Sequence, residues 1–128
     1  MRILLDTHVL LWWFTDDDRL SGTARRVIAD PANDVFVSAA SAWEIATKQR
    51  IGKLGAIPQA AERFTELVAA DQFEHLPISH LHSLRAGSFD VVHRDPFDRM
   101  LAAQSEHEQL DLVTKDPAFA QFGTVTLW

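Results

Sequence analysis

The sequence predicts an α/β protein: a three-layer sandwich with a mainly parallel central sheet flanked by helices. Two observations carry that expectation. Short apolar or β-branched runs alternate with amphipathic segments of roughly 10–30 residues, and connections of that length are crossovers rather than hairpins. No repeat, linker or low-complexity stretch interrupts the alternation. The 128 residues therefore make one domain, 1–128, long enough to bury its own core.

The elements follow in order. "RILL" (Arg2–Leu5) is a short apolar strand that ends at an acid. "THVLLWWF" is a helix with Asp6 or Thr7 as its cap. After the polar break "DDDRLS" comes a second short helix, "GTARRVIAD". "DVFVS" (Asp34–Ser38) is β-branched and aromatic, so it reads as a buried strand. A helix capped by Ser38 should follow and end near Gly52 or Gly55, with Pro58 in the first turn of the next one, "PQAAERFTELVAAD". "FEHLPI" is a third strand, and "SHLHSLRAG" a helix stopped by Gly87. "DPFDRMLAAQSEHEQ" is a further helix, "DLVTKD" a fourth strand, "DPAFAQFG" a helical turn and "TVTLW" a short last strand.

Composition narrows the function classes. With 12 Lys and Arg against 18 Asp and Glu, the net charge is −6, which argues against a protein that coats nucleic acid through clustered cations. An enzyme that holds phosphates through metal ions stays open. There is no cysteine, hence no disulfide framework and no thiolate metal site. No apolar run is long enough to span a membrane. The N-terminal apolar run is broken by Asp6 and reads as structure rather than as a signal peptide. A cytoplasmic location is the expectation.

In open α/β sheets the site lies outside the carboxyl ends of the strands. Four acids fall there. Asp6 follows the first strand, Glu44 sits in the second turn of the helix after the second, Asp98 opens the helix before the fourth, and Asp116 follows the fourth. Each has a plainer explanation. Asp6 and Asp116 are good caps, Glu44 can pair with Lys48 at i,i+4, and Asp98 suits the positive end of a helix dipole. Those explanations leave the shared position unaccounted for, and Glu44 is too deep in its helix to cap it.

The stretch "RDPFDRMLAAQ" separates two of these roles. Asp95 before Pro96 fits a cap followed by the first helical residue. Asp98 then shares a helix face with Leu101, Ala102 and Ser105, a buried face for an ionised group. An acid there is costly unless it is paired or on a metal. Converging carboxylates repel one another and either share protons or bind a cation. Oxygen-only ligands suit Mg²⁺ or Mn²⁺, and such a site supports phosphodiester hydrolysis.

The chain resembles the PIN domain family, and within it the VapC-like ribonuclease toxins of type II toxin–antitoxin pairs. The resemblance spans essentially the whole chain and rests on "LLDTH", "SAWEIATKQRIGKL", "DPFDRMLAAQ" and "LVTKDPAF" in that order. It implies a parallel sheet flanked by helices and Mg²⁺- or Mn²⁺-dependent cleavage of RNA. It also implies a homodimer and inhibition by a cognate antitoxin. The family's acidic quartet matches Asp6, Glu44, Asp98 and Asp116, with Asp95 an additional acid outside it.

Other residues have two readings each. Arg94, Arg99 and Lys48 are candidate RNA contacts or ordinary helix charges. Trp12 and Trp13 lie in a helix that is apolar all round, so they are core or an interface for an antitoxin or a second subunit. His80 and His82 diverge on a helix and make a poor zinc pair. His8, His75, His93 and His107 have no ligand spacing, and Thr7 and Thr114 are either caps or partners of the acids. Two alternatives from other classes remain. A phosphoryl-transfer domain of the receiver or haloacid-dehalogenase type needs a further acid next to or two residues after Asp6, where Thr7 and His8 stand. A non-catalytic PIN-like interaction module would not need all four acids.

Overall fold

The computed structural model describes residues 1–55 and 57–128. Its centre is a five-stranded sheet in the order β3-β2-β1-β4-β5 with every pair parallel. The strands are β1 (Arg2–Leu5), β2 (Asp34–Ser38), β3 (Glu74–Leu76), β4 (Asp111–Val113) and β5 (Thr126–Leu127). The helices are α1 (Thr7–Phe14), α2 (Gly22–Ala29), α3 (Ala39–Arg50), α4 (Ala60–Ala70), α5 (His80–Ser88) and α6 (Pro96–Glu108), and a 3₁₀ turn covers Pro117–Phe122.

Strand periodicity divides the core into two layers. In β1, Ile3 and Leu5 point to one face and Leu4 to the other, as the two-residue repeat of a strand requires. Ile3, Leu5, Val35 and Val37 pack with Val9 and Leu10 of α1, Ala24 and Ile28 of α2, Ile45 of α3 and Phe64 and Val68 of α4. Leu4 and Leu112 pack with Ala86 of α5, Leu101 and Ala102 of α6, and Phe119 and Phe122 of the turn. With both faces covered, β1 and the middle of β2 are continuous apolar runs rather than alternating ones.

The sheet grows from β1 in two directions, to β2 and β3 on one side and to β4 and β5 on the other. The strand order reverses at β1, and this is the place where an open α/β sheet forms its crevice.

The end of α3 matches the sequence expectation, and several other boundaries differ from it. α3 stops at Arg50, just before Gly52, whose φ of 74° is a left-handed turn suited to glycine. α4 begins at Ala60, two residues after Pro58, because Gln59 takes a left-handed backbone at φ 57° and breaks the entry. Gly87 does not stop α5, which runs to Ser88. β3 and β4 are shorter than the runs that mark them. Beyond β4 the Thr114 N–H still donates to the Leu127 carbonyl at 3.2 Å, so pairing with β5 outlasts the strand itself.

Candidate metal centre

Asp6 occupies the N-cap position of α1, yet its side chain makes no cap hydrogen bond. Its backbone is fully employed. The N–H continues the β1–β4 pairing by donating to Val113, and the carbonyl accepts from Leu10. The carboxylate instead turns toward β4, where the Thr114 hydroxyl donates to Oδ2 at 2.7 Å. Thr114 is itself buried and accepts from the Asp116 N–H at 3.0 Å. One threonine therefore ties the ends of the two central strands together across the reversal point.

Asp6 is 6% exposed, and burial pushes its carboxyl up to about 6. The Thr114 hydrogen bond opposes that rise, and the negative charge of Asp98 adds to it. Asp98 is also raised, first by burial, with Asp95 and Glu44 adding repulsion and a hydrogen bond from His93 opposing. Asp98 of α6 therefore feels the charge of Glu44 in α3 and adds its own to Asp6 at the end of β1.

The opening of α6 divides labour as the sequence predicts. Asp95 is the cap: its Oδ1 accepts from the N–H groups of Phe97 at 2.8 Å and Asp98 at 3.1 Å, with Pro96 at the first helical position. Leu101, Ala102 and Ser105 are buried on the face below Asp98. Asp98 does no capping, and its Oδ2 lies 2.8 Å from Nε2 of His93. His93 is fixed from three sides. Its carbonyl accepts from Arg99 at 2.9 Å, its ring meets Phe122 edge-on at 5.7 Å, and its nitrogen faces Asp98.

Glu44 is 4% exposed, and Lys48 donates to its Oε2 at 2.6 Å. The i,i+4 pair expected on a solvated face thus exists, but with the acid inside the protein. At the same end of the sheet Thr7 and Ser41 share a buried hydroxyl–hydroxyl hydrogen bond of 2.9 Å, which fixes the first turns of α1 and α3 to each other. Asp116 is exposed and caps the 3₁₀ turn through Ala118 at 2.9 Å. It joins Asp6 along a cleft of ≈ 440 Å³ that Trp12, Arg19 and Lys115 also line.

The donors are carboxylate oxygens, the type a hard divalent cation takes. Thr114, Lys48 and His93 each engage one carboxylate oxygen of Asp6, Glu44 and Asp98, and the second oxygen of each is left for another ligand. Crowded carboxylates are the state that a cation relieves. The same test rejects a second grouping. Among the described residues His82, His107 and Glu108 bring one ligand atom each within 4.8 Å of one another. His82 Nδ1, however, faces the N–H of Ser79 at 3.0 Å and the amide of Gln104 at 3.5 Å, both donors. The proton then belongs on Nε2, which meets Glu108 at 3.0 Å, and a metal on Nε2 would need that proton on Nδ1 instead.

One expectation needs correction. Arg99 is not available as an RNA contact, because its guanidinium donates to four backbone carbonyls, Ala86, Phe89, Val91 and His93, at 2.6–3.1 Å. The guanidinium fork is satisfied inside the α5–α6 connection. Trp13 is half-buried, with its indole N–H donating to Asp71 at 3.0 Å and its ring packed near Phe73. Trp12 is half-buried and faces the cleft, while Arg94 is exposed and Lys48 is committed to Glu44. His93 escaped the sequence reading because no spacing marks a contact made through a loop. Gln104 escaped it too. Fully buried, it accepts from Ser38 at 2.5 Å and joins β2 to α6. Its only signal was a polar residue on an apolar helix face.

Comparison with known proteins agrees with the geometry. The family model for the PIN domain matches residues 3–125. The fold is similar to a VapBC2 complex from Rickettsia felis bound to a promoter DNA fragment, with a TM-score of 0.68 and 14% identity over 99% of this chain and 98% of that one. It is similar to FitAB bound to the IR36 DNA fragment, at 0.62 and 19% identity over 99% and 94% of the chains. A toxin–antitoxin complex from Klebsiella pneumoniae gives 0.56 and 17% over 89% and 86%. No curated protein matches the sequence. At these identities the structural likenesses speak for the fold.

Proposed function

Because the chain belongs to the PIN domain family, we propose that it is a Mg²⁺- or Mn²⁺-dependent endoribonuclease acting as the toxin of a toxin–antitoxin pair. The observation that carries this reading is Asp6. It stands at a cap position without capping, is buried, and is pushed up to about 6 in a place where Asp98 adds to the rise. A helix start has no use for such a group; a cation site does.

In this reading Asp6, Glu44 and Asp98 hold the cation, with Asp116 at the mouth of the cleft. The cation supplies charge compensation for a phosphodiester and acidifies water. Thr114 and His93 hold the two inner carboxylates in place, as hydrogen bonds to ligating carboxylates commonly do. Arg94 is the exposed cation beside Asp98 for RNA phosphate. Lys48, already paired, serves first to hold Glu44.

Its similarity in fold to toxin–antitoxin complexes supports an antitoxin as partner. A homodimer is supported by the resemblance and by the exposed apolar residues Leu81 and Leu84 of α5 and Ile78, which lines a pocket with Trp43. No helix among the described residues is long and apolar enough to cross a membrane, and the proposed site of action is the cytoplasm.

The test is cleavage of several RNAs with and without Mn²⁺ or Mg²⁺, together with the melting temperature under the same conditions. Metal-dependent cleavage that Asp6→Asn abolishes is the expected result. Neither cleavage nor a metal-dependent thermal shift at millimolar concentrations overturns the reading.

A further inference from the structure

The cleft beside Asp6 contains more than acids. His8 and Trp12 are four residues apart on α1 and so share a face, with ring centroids 6.0 Å apart. Trp128 packs against Trp12 at 5.9 Å and steadies the indole. The Arg19 guanidinium lies over the Trp12 ring at 5.2 Å. Arg19 is set in that position by Asp17, whose two oxygens accept from Nε at 3.0 Å and Nη2 at 2.8 Å. The segment after β4 adds Lys115, Asp116 and Pro117.

A purely structural account covers Trp128 and the inner edge of Trp12. It does not explain why an open cleft of ≈ 440 Å³, within the ordinary range for a bound ligand, joins an aromatic wall, two cations and the two acids Asp6 and Asp116. A nucleotide has the matching parts: a π-face for the ring and a phosphate for the cations. We propose that the cleft between α1 and the segment after β4 is a stacking subsite for one unpaired nucleobase of the RNA strand beside the scissile phosphate. Trp12 and His8 form its wall, and Arg19 and Lys115 meet the flanking phosphates.

The inference rests on the ribonuclease reading and assigns residues of this chain to one base of the strand. A base inside a duplex offers no free face, so the subsite selects single strands or loops. Arg19 and Trp12 act together, because guanidinium and indole planes both stack on bases.

The test uses the full chain carrying Asp98→Asn, to suppress cleavage, in Mn²⁺. The probes are a fluorescein-labelled decauridylate, an abasic strand of the same length and a ten-base-pair RNA duplex. The decauridylate should bind on the order of tenfold more tightly than the abasic strand or the duplex. Adding Trp12→Leu should erase the preference for bases, and Trp12→Phe should keep most of it. Arg19→Ala, at a largely exposed position that does not endanger the fold, should weaken the decauridylate and the abasic strand alike. A base preference that survives Trp12→Leu, or none in the Trp12 protein, overturns the subsite and returns the cleft to a protein partner. Failure to bind any RNA, with wild-type protein cleaving none, sinks the ribonuclease reading itself and is thereby distinguishable.

Discussion

At the residue scale the decisive contrast is between neighbours with the same side chain. Asp95 spends its carboxylate on two backbone N–H groups, whereas Asp98, one turn later, spends its own on His93. Asp98→Asn should therefore cost on the order of 10²–10³ in cleavage rate, with melting temperature unchanged or slightly higher as repulsion is relieved. Asp95→Ala should do the reverse, losing roughly 0.5–2 kcal/mol of stability with a modest fall in rate. RNA cleavage and thermal melting of both variants at saturating Mn²⁺ decide it, and an inactive Asp95→Ala beside an active Asp98→Asn would exchange the roles. His93 gives a second test. His93→Ala should weaken the Mn²⁺-dependent thermal shift and lower kcat on the order of tenfold to a hundredfold, the usual toll of removing a ligand's supporting hydrogen bond. His93→Asn, which can still donate, should recover part of both. Equal loss in the two variants, confined to stability, would make the histidine a packing residue only.

At the element scale, most of what the sequence announces is present. Each of the five strands and six helices lies within a few residues of its apolar run, because burial on both faces leaves an uninterrupted signature in β1 and β2. The misplaced boundaries have backbone causes. Gln59 adopts a left-handed φ that its residue type does not advertise, and Gly87 stays helical because a glycine permits a stop without demanding one. The acids were legible through their place at strand ends, while Thr114–Asp6, 108 positions apart, and His93–Asp98 were not, because tertiary contacts have no period. The same blindness concealed Arg99, which closes the α5–α6 connection. Arg99→Met keeps much of the length but strands four carbonyls, and should cost on the order of 3 kcal/mol in chemical denaturation. An effect on RNA affinity at unchanged stability would restore Arg99 as an RNA contact. On α5, Leu84 is 67% exposed, and Leu84→Glu should shift a dimer to monomer in sedimentation with little change in monomer fold. An unaltered dimer places the second copy on another face.

At the scale of the whole molecule, the fold gathers acids from β1, α3 and α6 at one edge and bears the cost as a pH-dependent stability. Asp6 has an ordinary value near 3.8 and is pushed up to about 6 by burial, so between those values the folded chain holds a proton that the unfolded chain has released. Stability from this group is thus greatest below about 3.8 and is lost as pH rises through about 6. Asp98, also raised, acts in the same direction. The lowered groups Asp17 and Glu106 act in the opposite sense but below their ordinary values, so a window from about pH 5 to 7 separates them from Asp6. In that window the metal-free protein should lose on the order of 1 kcal/mol more than Asp6→Asn does, the difference between the two cancelling the histidines. Mn²⁺ should reverse the trend, since it binds the ionised carboxylates and competes with their protons. Its stabilisation should grow from pH 5 to 7 and, at a hundredfold excess over the dissociation constant, reach roughly 10 °C in melting temperature. Melting curves for both proteins at several pH values, in chelator and in Mn²⁺, measure all of this together. If wild type and Asp6→Asn show parallel pH profiles in chelator, Asp6 is not held protonated. If Mn²⁺ then stabilises both alike, the cation binds away from the end of β1.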